Sequence, residues 1–312
     1  MKKGKPNAPA TPEGKKRQRK QPLQFIFGVQ EAQRSFSRRH QPLLKEYGNL
    51  RMAEDFIISR ATKTMKNDMK DKIIYFLTRQ VFEDFDEILL LCGNGKSTGA
   101  LKILRGMFER TVTVCYLQKN QAEIERYHKY YYVRRRKETN SLKRDFPNTL
   151  SDQLLARFEK EYEEVKGMFQ VPRCEVCKVK ECKPCAKLRD NHNWSRKDII
   201  QLAREAGNFD AVIWVGYYVP MQESHPTAQA ITHRVVFNKR DKWNYVEGPK
   251  PDMDRHTFVV AHFLVVRAIE ALDLQLGINI EDKLEKLWKV YVTILRRYAR
   301  SQKRRIAKPA QP

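Results

Sequence analysis

The sequence predicts an all-α protein: a multi-helix bundle with a small inserted CxxC-x4-CxxC zinc knuckle and basic, disordered termini. Three observations predict it. Apolar residues recur at a helical period along most of the chain, with no sustained alternation. Thr98 to Gln118 carries two adjoining apolar stripes: Leu101, Leu104, Phe108, Val112 and Cys115 in one, Ile103, Met107, Val114 and Leu117 in the other. Two such stripes mean a helix covered over more than half its circumference, so this segment is the expected centre of the bundle. Four of the six cysteines fall in one short stretch, which sets that stretch apart from the helices.

The elements follow in order. Residues 1–22 are rich in Lys, Pro and Gly and predict a disordered basic tail. The helical domain is expected over 23–300. Its first part, 23–66, reads as two short helices broken near Gln41-Pro42 and Gly48-Asn49. A clearer helix runs from Met69 to Leu91, with Ile73, Phe76, Leu77, Phe82, Phe85, Ile88 and Leu89 on its apolar side. Gly93 to Thr98 ends like a phosphate-binding loop, but Leu90 stands where the first glycine is needed and a helical run precedes it. An interhelical turn with Ser97 or Thr98 as N-cap is the expectation.

A third helix is predicted over 121–144 and a fourth from Leu150 to Phe169, with Pro147 between them. Ser195 is expected to cap a short helix to Gly207, with Asp198 completing a capping box. Phe209 to Val219 reads as a buried helix, although a strand fits so short a run. A polar loop at 238–252 precedes a helix capped by Asp252 or Asp254 and ending near Leu274. In it His262 shares an apolar stripe and reads as a core histidine. Glu281 to Arg300 forms the last helix, acids first and arginines last, as the macrodipole prefers. Residues 301–312 are a second basic tail.

Charge narrows the partners. The net charge is +24, and seven net positive charges lie in residues 1–22 and seven more from Arg296 onward. Such a balance favours a polyanion, so nucleic acid (RNA or DNA) or a nucleotide is the expected partner. The longest apolar segment, Phe258 to Leu276, is interrupted by His262, Arg267, Glu270 and Asp273, and no signal-peptide core follows the basic N-terminus. A membrane role is therefore not expected, and a cytoplasmic location is.

Candidate chemistry comes from three places. Cys174, Cys177, Cys182 and Cys185 form two CxxC pairs four residues apart, inside an insertion at 173–190. Two such turns close a tetrahedral four-sulfur shell, which suits a structural Zn²⁺ with no open position. An iron–sulfur cluster or redox thiols are the alternatives, and His192 could replace one thiolate. Arg105 falls at the edge of the buried stripe of the central helix, with Glu109 one turn on and within reach. Tyr130-Tyr131-Tyr132 followed by Arg134, Arg135, Arg136 and Lys137 suits base stacking and phosphate contact. The plainer reading is a helix whose tyrosines pack inward while its arginines are solvated. His225, before Pro226, reads as the N-cap of a helix, whose dipole disfavours imidazolium and suits a general base. A turn histidine bonded to its local backbone is the plain alternative.

The run Glu87 to Asn120, then Arg126-Tyr127, resembles a bacterial all-helical family known only as a domain of unknown function. The matching features are an LLRxxFE-like helix (Arg105, Phe108, Glu109), Trp194-Ser195, Tyr218, and Ser224-His225-Pro226. The resemblance covers scattered blocks over roughly residues 70–270 and implies no activity. The chain is also distantly similar, at the level of fold, to nuclease and nucleotide-binding modules of the HEPN type. Those use Arg followed by His at short spacing. Arg34…His40 and Arg255…His262 fit, as about two such pairs would by chance.

Two function classes are expected. One is a metal-independent, ribonuclease-like enzyme, as in defence or toxin modules, with catalytic residues Arg105, Glu109 and His225. The other is a non-enzymatic, zinc-stabilised nucleic-acid-binding or interaction protein in which Arg105–Glu109 is a structural ion pair. Whether His225 reaches Arg105 in an open place separates them.

Overall fold

The computed structural model describes residues 30–147, 149–172, 188–225, 228–232, 234–237, 243–245 and 251–306. The helices, in chain order, are α1 (Gln30–Thr64), α2 (Met69–Gly93), α3 (Ser97–Lys119), α4 (Glu123–Asp145), α5 (Asp152–Glu163), α6 (Lys166–Phe169), α7 (Ile199–Ala206), α8 (Asp210–Ile213), α9 (Val219–Ser224), α10 (Ala228–Thr232), α11 (Pro251–Leu276) and α12 (Glu281–Ile306). A π-helical turn, Trp214–Tyr218, joins α8 to α9. Two antiparallel hairpins complete the described residues: β1 (Gln170–Pro172) with β2 (Leu188–Asp190), and β3 (Val235–Phe237) with β4 (Trp243–Tyr245). The all-α expectation holds. Among the described residues no helix is long and apolar enough to cross a membrane.

α3 is the centre, as its double stripe requires. Leu101, Leu104, Met107, Phe108, Val112, Val114 and Leu117 are buried in the main core, packed mainly against α2 and α11. A smaller cluster of Tyr130, Val133, Tyr162, Val165 and Phe169 joins α4, α5 and α6. Trp194 packs against both clusters.

Several expected boundaries are corrected. Residues 30–64 form one helix with Pro42 inside it, not two. The buried residues Phe36, His40, Leu50, Ala53, Ile57 and Ala61, with Leu44 and Tyr47 partly buried, keep helical spacing through both breaks. Packing of a continuous stripe therefore overrides the local preference of Pro and Gly. The expected helix to Phe169 stops at Glu163 and resumes as the single turn α6. Lys96, not Ser97 or Thr98, is the N-cap of α3. Ser97 is its first helical residue and bonds the buried Asp254, which is paired with Arg39 at 2.8 Å instead of capping α11. Asp198, not Ser195, caps α7, with Gln201 closing the capping box, while Ser195 turns back onto Lys197.

Candidate functional site

The site begins on the rim of α3. Arg105 Nε donates to Glu109 Oε1 at 3.0 Å, one helical turn away. Their side chains keep 27% and 43% of their exposure, so the pair is wet and not sealed under apolar groups. Arg105 Nη1 also lies 3.2 Å from His225 Nε2, across 120 residues of sequence. A guanidinium only donates, so His225 Nε2 is the acceptor in this contact.

The chain from α8 to α9 makes this meeting. The π-helical turn Trp214–Tyr218 inserts an extra residue per turn, and such bulges re-aim the side chains around them. Gly216 lies against the centre of the bundle: a Cβ there would sit 2.9 Å from Phe108 Cδ2 and 3.3 Å from Val260 Cγ1. Only a residue without a side chain lets this turn approach α3 and α11 so closely. Tyr217 follows, with Arg105 over its ring at 5.4 Å and Phe108 beside it at 5.8 Å. Burial pushes the Tyr217 phenol up from its ordinary value, and Arg105 partly offsets this. α9 then runs to Ser224 and leaves His225 as its exposed C-cap residue. The expectation of an N-cap histidine is corrected: α9 ends at this ring, and α10 starts only at Ala228. What positions the ring is Arg105, not a helix N-terminus.

A cleft of about 980 Å³ adjoins the pair. Tyr127, His128, Tyr130, Tyr131, Arg134 and Lys137 of α4 form one side, His192, Asn193 and Trp194 another, and Glu109 reaches it from α3. Trp194 is held edge-on between Tyr116 at 5.7 Å and Tyr127 at 5.3 Å. Tyr130 Oη and Lys137 Nζ both donate to the Asn191 carbonyl, at 3.1 and 2.8 Å, and fix the 191–194 loop to α4.

The four basic residues expected at a nucleic-acid contact separate into two kinds. Arg135 is stacked on Phe158 at 4.1 Å and paired with Glu161. Arg136 donates to both carboxylate oxygens of Glu159 and covers Tyr162 at 3.9 Å. Both are thereby committed to holding α5 on α4. Arg134 and Lys137 instead line the cleft. Cys174, Cys177, Cys182 and Cys185 lie outside the described residues. What is described is the base of their segment, where Pro172 pairs with Leu188 and Gln170 with Asp190. Among the described residues no group of metal-ligating side chains occurs. The chance pairs are excluded by burial, since His40 and His262 are both in the interior. Burial holds each of these rings near a pKa of about 4.

Sequence reasoning missed Tyr217, His128 and the cleft itself. The aromatic run around Gly216 was the available signal, but a π-helical turn has no period of its own to read. Chemically, Arg105 has five donors and keeps some to spare after Glu109, His225 and Tyr217. The site thus offers an anion-binding guanidinium, a proton acceptor beside it and a carboxylate that orients the guanidinium.

A family model described as a family of unknown function, DUF5677, matches residues 71–242. The match spans the α3 pair, the cleft, the π-helical turn and His225. Comparison with curated proteins and with solved structures gave no match.

Proposed function

The chain belongs to DUF5677, whose description carries no activity, and we propose from the site's geometry that it is a metal-independent ribonuclease-like enzyme. The observation that carries this is the 3.2 Å approach of Arg105 Nη1 to His225 Nε2 in a solvent-exposed place. A phosphodiester oxygen entering the site takes the donor that Arg105 gives to His225. Nε2 is then free to accept the proton of the neighbouring 2′-hydroxyl. The 2′-oxygen attacks phosphorus, the P–O5′ bond breaks, and His225 returns the proton to the departing 5′-oxygen. The products are a 2′,3′-cyclic phosphate and a 5′-hydroxyl. Arg105 stabilises the charge that gathers on the phosphoryl oxygens, and Glu109 keeps Arg105 in place.

The test is cleavage of labelled single-stranded RNA by zinc-loaded protein in buffer to which no Mg²⁺ or Mn²⁺ is added. Wild type cuts RNA and leaves DNA of the same sequence intact, while Arg105→Ala and His225→Ala lose at least a hundredfold in rate, the scale of a lost general base or oxyanion donor. Cleavage unchanged in either variant, or none by wild type, removes the reading.

The zinc knuckle belongs to the same proposal as a structural part. Cys174, Cys177, Cys182 and Cys185 hold one Zn²⁺, and the β1–β2 ladder at the base of their segment supports this by bringing its two ends together. Thiolates kept reduced for a metal accord with a cytoplasmic location. The second reading, a zinc-stabilised nucleic-acid-binding protein without catalysis, is favoured by the fourteen net positive charges at the two ends. It requires binding that weakens, with a flatter salt dependence, when residues 1–22 and 301–312 are removed, and no cleavage.

A further inference from the structure

We propose that the cleft between α4 and the 191–194 loop is a nucleobase subsite, which takes the base of the nucleotide whose phosphate meets Arg105. This rests on the ribonuclease reading for the phosphate, but the cleft's own chemistry identifies its ligand. Its volume, about 980 Å³, is at the upper end of small-molecule sites and holds a nucleoside with room for a second. Its formal charges balance: Arg134 and Lys137 against Glu109 and Glu138. A groove that tracked the phosphate backbone would carry a surplus of cations. This one instead is lined by Tyr127, Tyr131 and Trp194, together with His128 and His192. Flat aromatic faces stack on any base, and imidazole edges hydrogen-bond to base edges.

Tyr131 is the ring that a base can reach. It is 56% exposed even with the Arg135 guanidinium 4.9 Å from its centroid. That cation fixes the ring in place, so little freedom remains to be lost when a base stacks. Glu109 joins the two halves of the site, since it lines the cleft and also accepts from Arg105. The phosphate is therefore read by charge at Arg105, and the base by stacking at Tyr131.

The two halves differ in salt dependence, which makes the assignment testable apart from cleavage. Anisotropy with a fluorescent 2′-O-methyl single-stranded oligonucleotide, which cannot be cleaved by 2′-oxygen attack, is measured across a salt series on the full-length protein. A matched abasic oligonucleotide and a free mononucleotide as competitor are the other two probes. Tyr131→Ala is expected to weaken binding of the base-bearing strand on the order of tenfold with an unchanged slope against log salt. Tyr131→Phe, which keeps the ring, retains affinity, and the abasic strand binds both proteins alike and weakly. Arg105→Ala lowers the salt slope by about one. Competition by the mononucleotide assigns the pocket to a single nucleotide; competition only by the strand assigns it to the polymer.

The inference is overturned if Tyr131→Ala affects abasic and base-bearing strands equally, if it changes the slope in place of the intercept, or if wild type binds neither probe. Base-dependent binding without cleavage of ordinary RNA would leave the subsite standing and remove the ribonuclease reading. His225-dependent cleavage indifferent to Tyr131→Ala and to base removal would do the reverse. Melting temperatures of both Tyr131 variants equal to wild type exclude loss of the Arg135 stack as the cause; a drop confined to Tyr131→Ala that accounts for its lost affinity assigns Tyr131 to structure and overturns the subsite.

Discussion

Arg105 Nη1 and His225 Nε2 lie 3.2 Å apart although 120 residues separate them. The first stands on the rim of the central helix and the second follows the last residue of α9. Between them the chain passes through α4 to α8 and a π-helical turn before it returns to α3. Every prediction about activity depends on that return.

Replacing Arg105 tests whether its pair with Glu109 belongs to a site or to the scaffold. Both side chains are partly exposed. Arg105→Ala should therefore cost about 1 kcal/mol of stability, because Glu109 is re-solvated when its partner goes. A sealed pair would cost about 3–5 kcal/mol. Urea denaturation at constant m-value measures the difference. His225→Ala should stay within about 0.5 kcal/mol of wild type while abolishing cleavage.

Gly216→Ala should harm both packing and activity. Its Cβ would press on Phe108 and Val260, which are buried between α3 and α11. Overpacking of this kind costs about 1–3 kcal/mol. It also pushes the π-helical turn outward, and Tyr217 and His225 with it. A thermal melt should show the first effect, and a cleavage rate depressed more than in Tyr217→Phe the second.

His262 should make the fold acid-sensitive. It is buried, lies parallel to Tyr291 at 5.5 Å and has a pKa lowered from 6.5 to about 4 by burial. The folded state therefore binds fewer protons than the unfolded chain between those values. The stability from its neutral ring is complete above pH 6.5 and is lost as pH falls toward 4. His40, also lowered to about 4, acts in the same direction. His262→Phe should flatten the loss over this window without removing it, as read from denaturation midpoints at pH 7, 6, 5 and 4.5.

Metal analysis should find about one Zn²⁺ per chain. Cys174→Ser should lower that content and expose the 173–187 segment to limited proteolysis, while the far-ultraviolet circular dichroism of the helical body changes little. Absence of metal with all four thiols titratable in the native protein would remove the knuckle. The described residues contribute Cys92 and Cys115, both buried, and burial raises both thiols, so neither competes for the metal.

The sequence by itself determined what depends on neighbours along the chain. The double stripe of α3 required a helix enclosed on most sides. The one-turn spacing of Arg105 and Glu109 placed them together on its rim, because a helix brings residues four apart onto one face. The extents of α2 and α4 followed from the same period, as did the core place of His262, whereas α12 continues past the expected end at Arg300 to Ile306. Tertiary structure decided the rest. A continuous buried stripe carried α1 through Pro42, where local preference argued for a break. Contacts with Glu159 and Glu161, far along the chain, separated Arg135 and Arg136 from Arg134 and Lys137, which look alike in sequence. The approach of Gly216 to Phe108 and Val260 set the path that brings His225 to Arg105. A helical period constrains only residues within a turn or two. A contact across 120 residues is set by how packed surfaces interlock, and no local period encodes that.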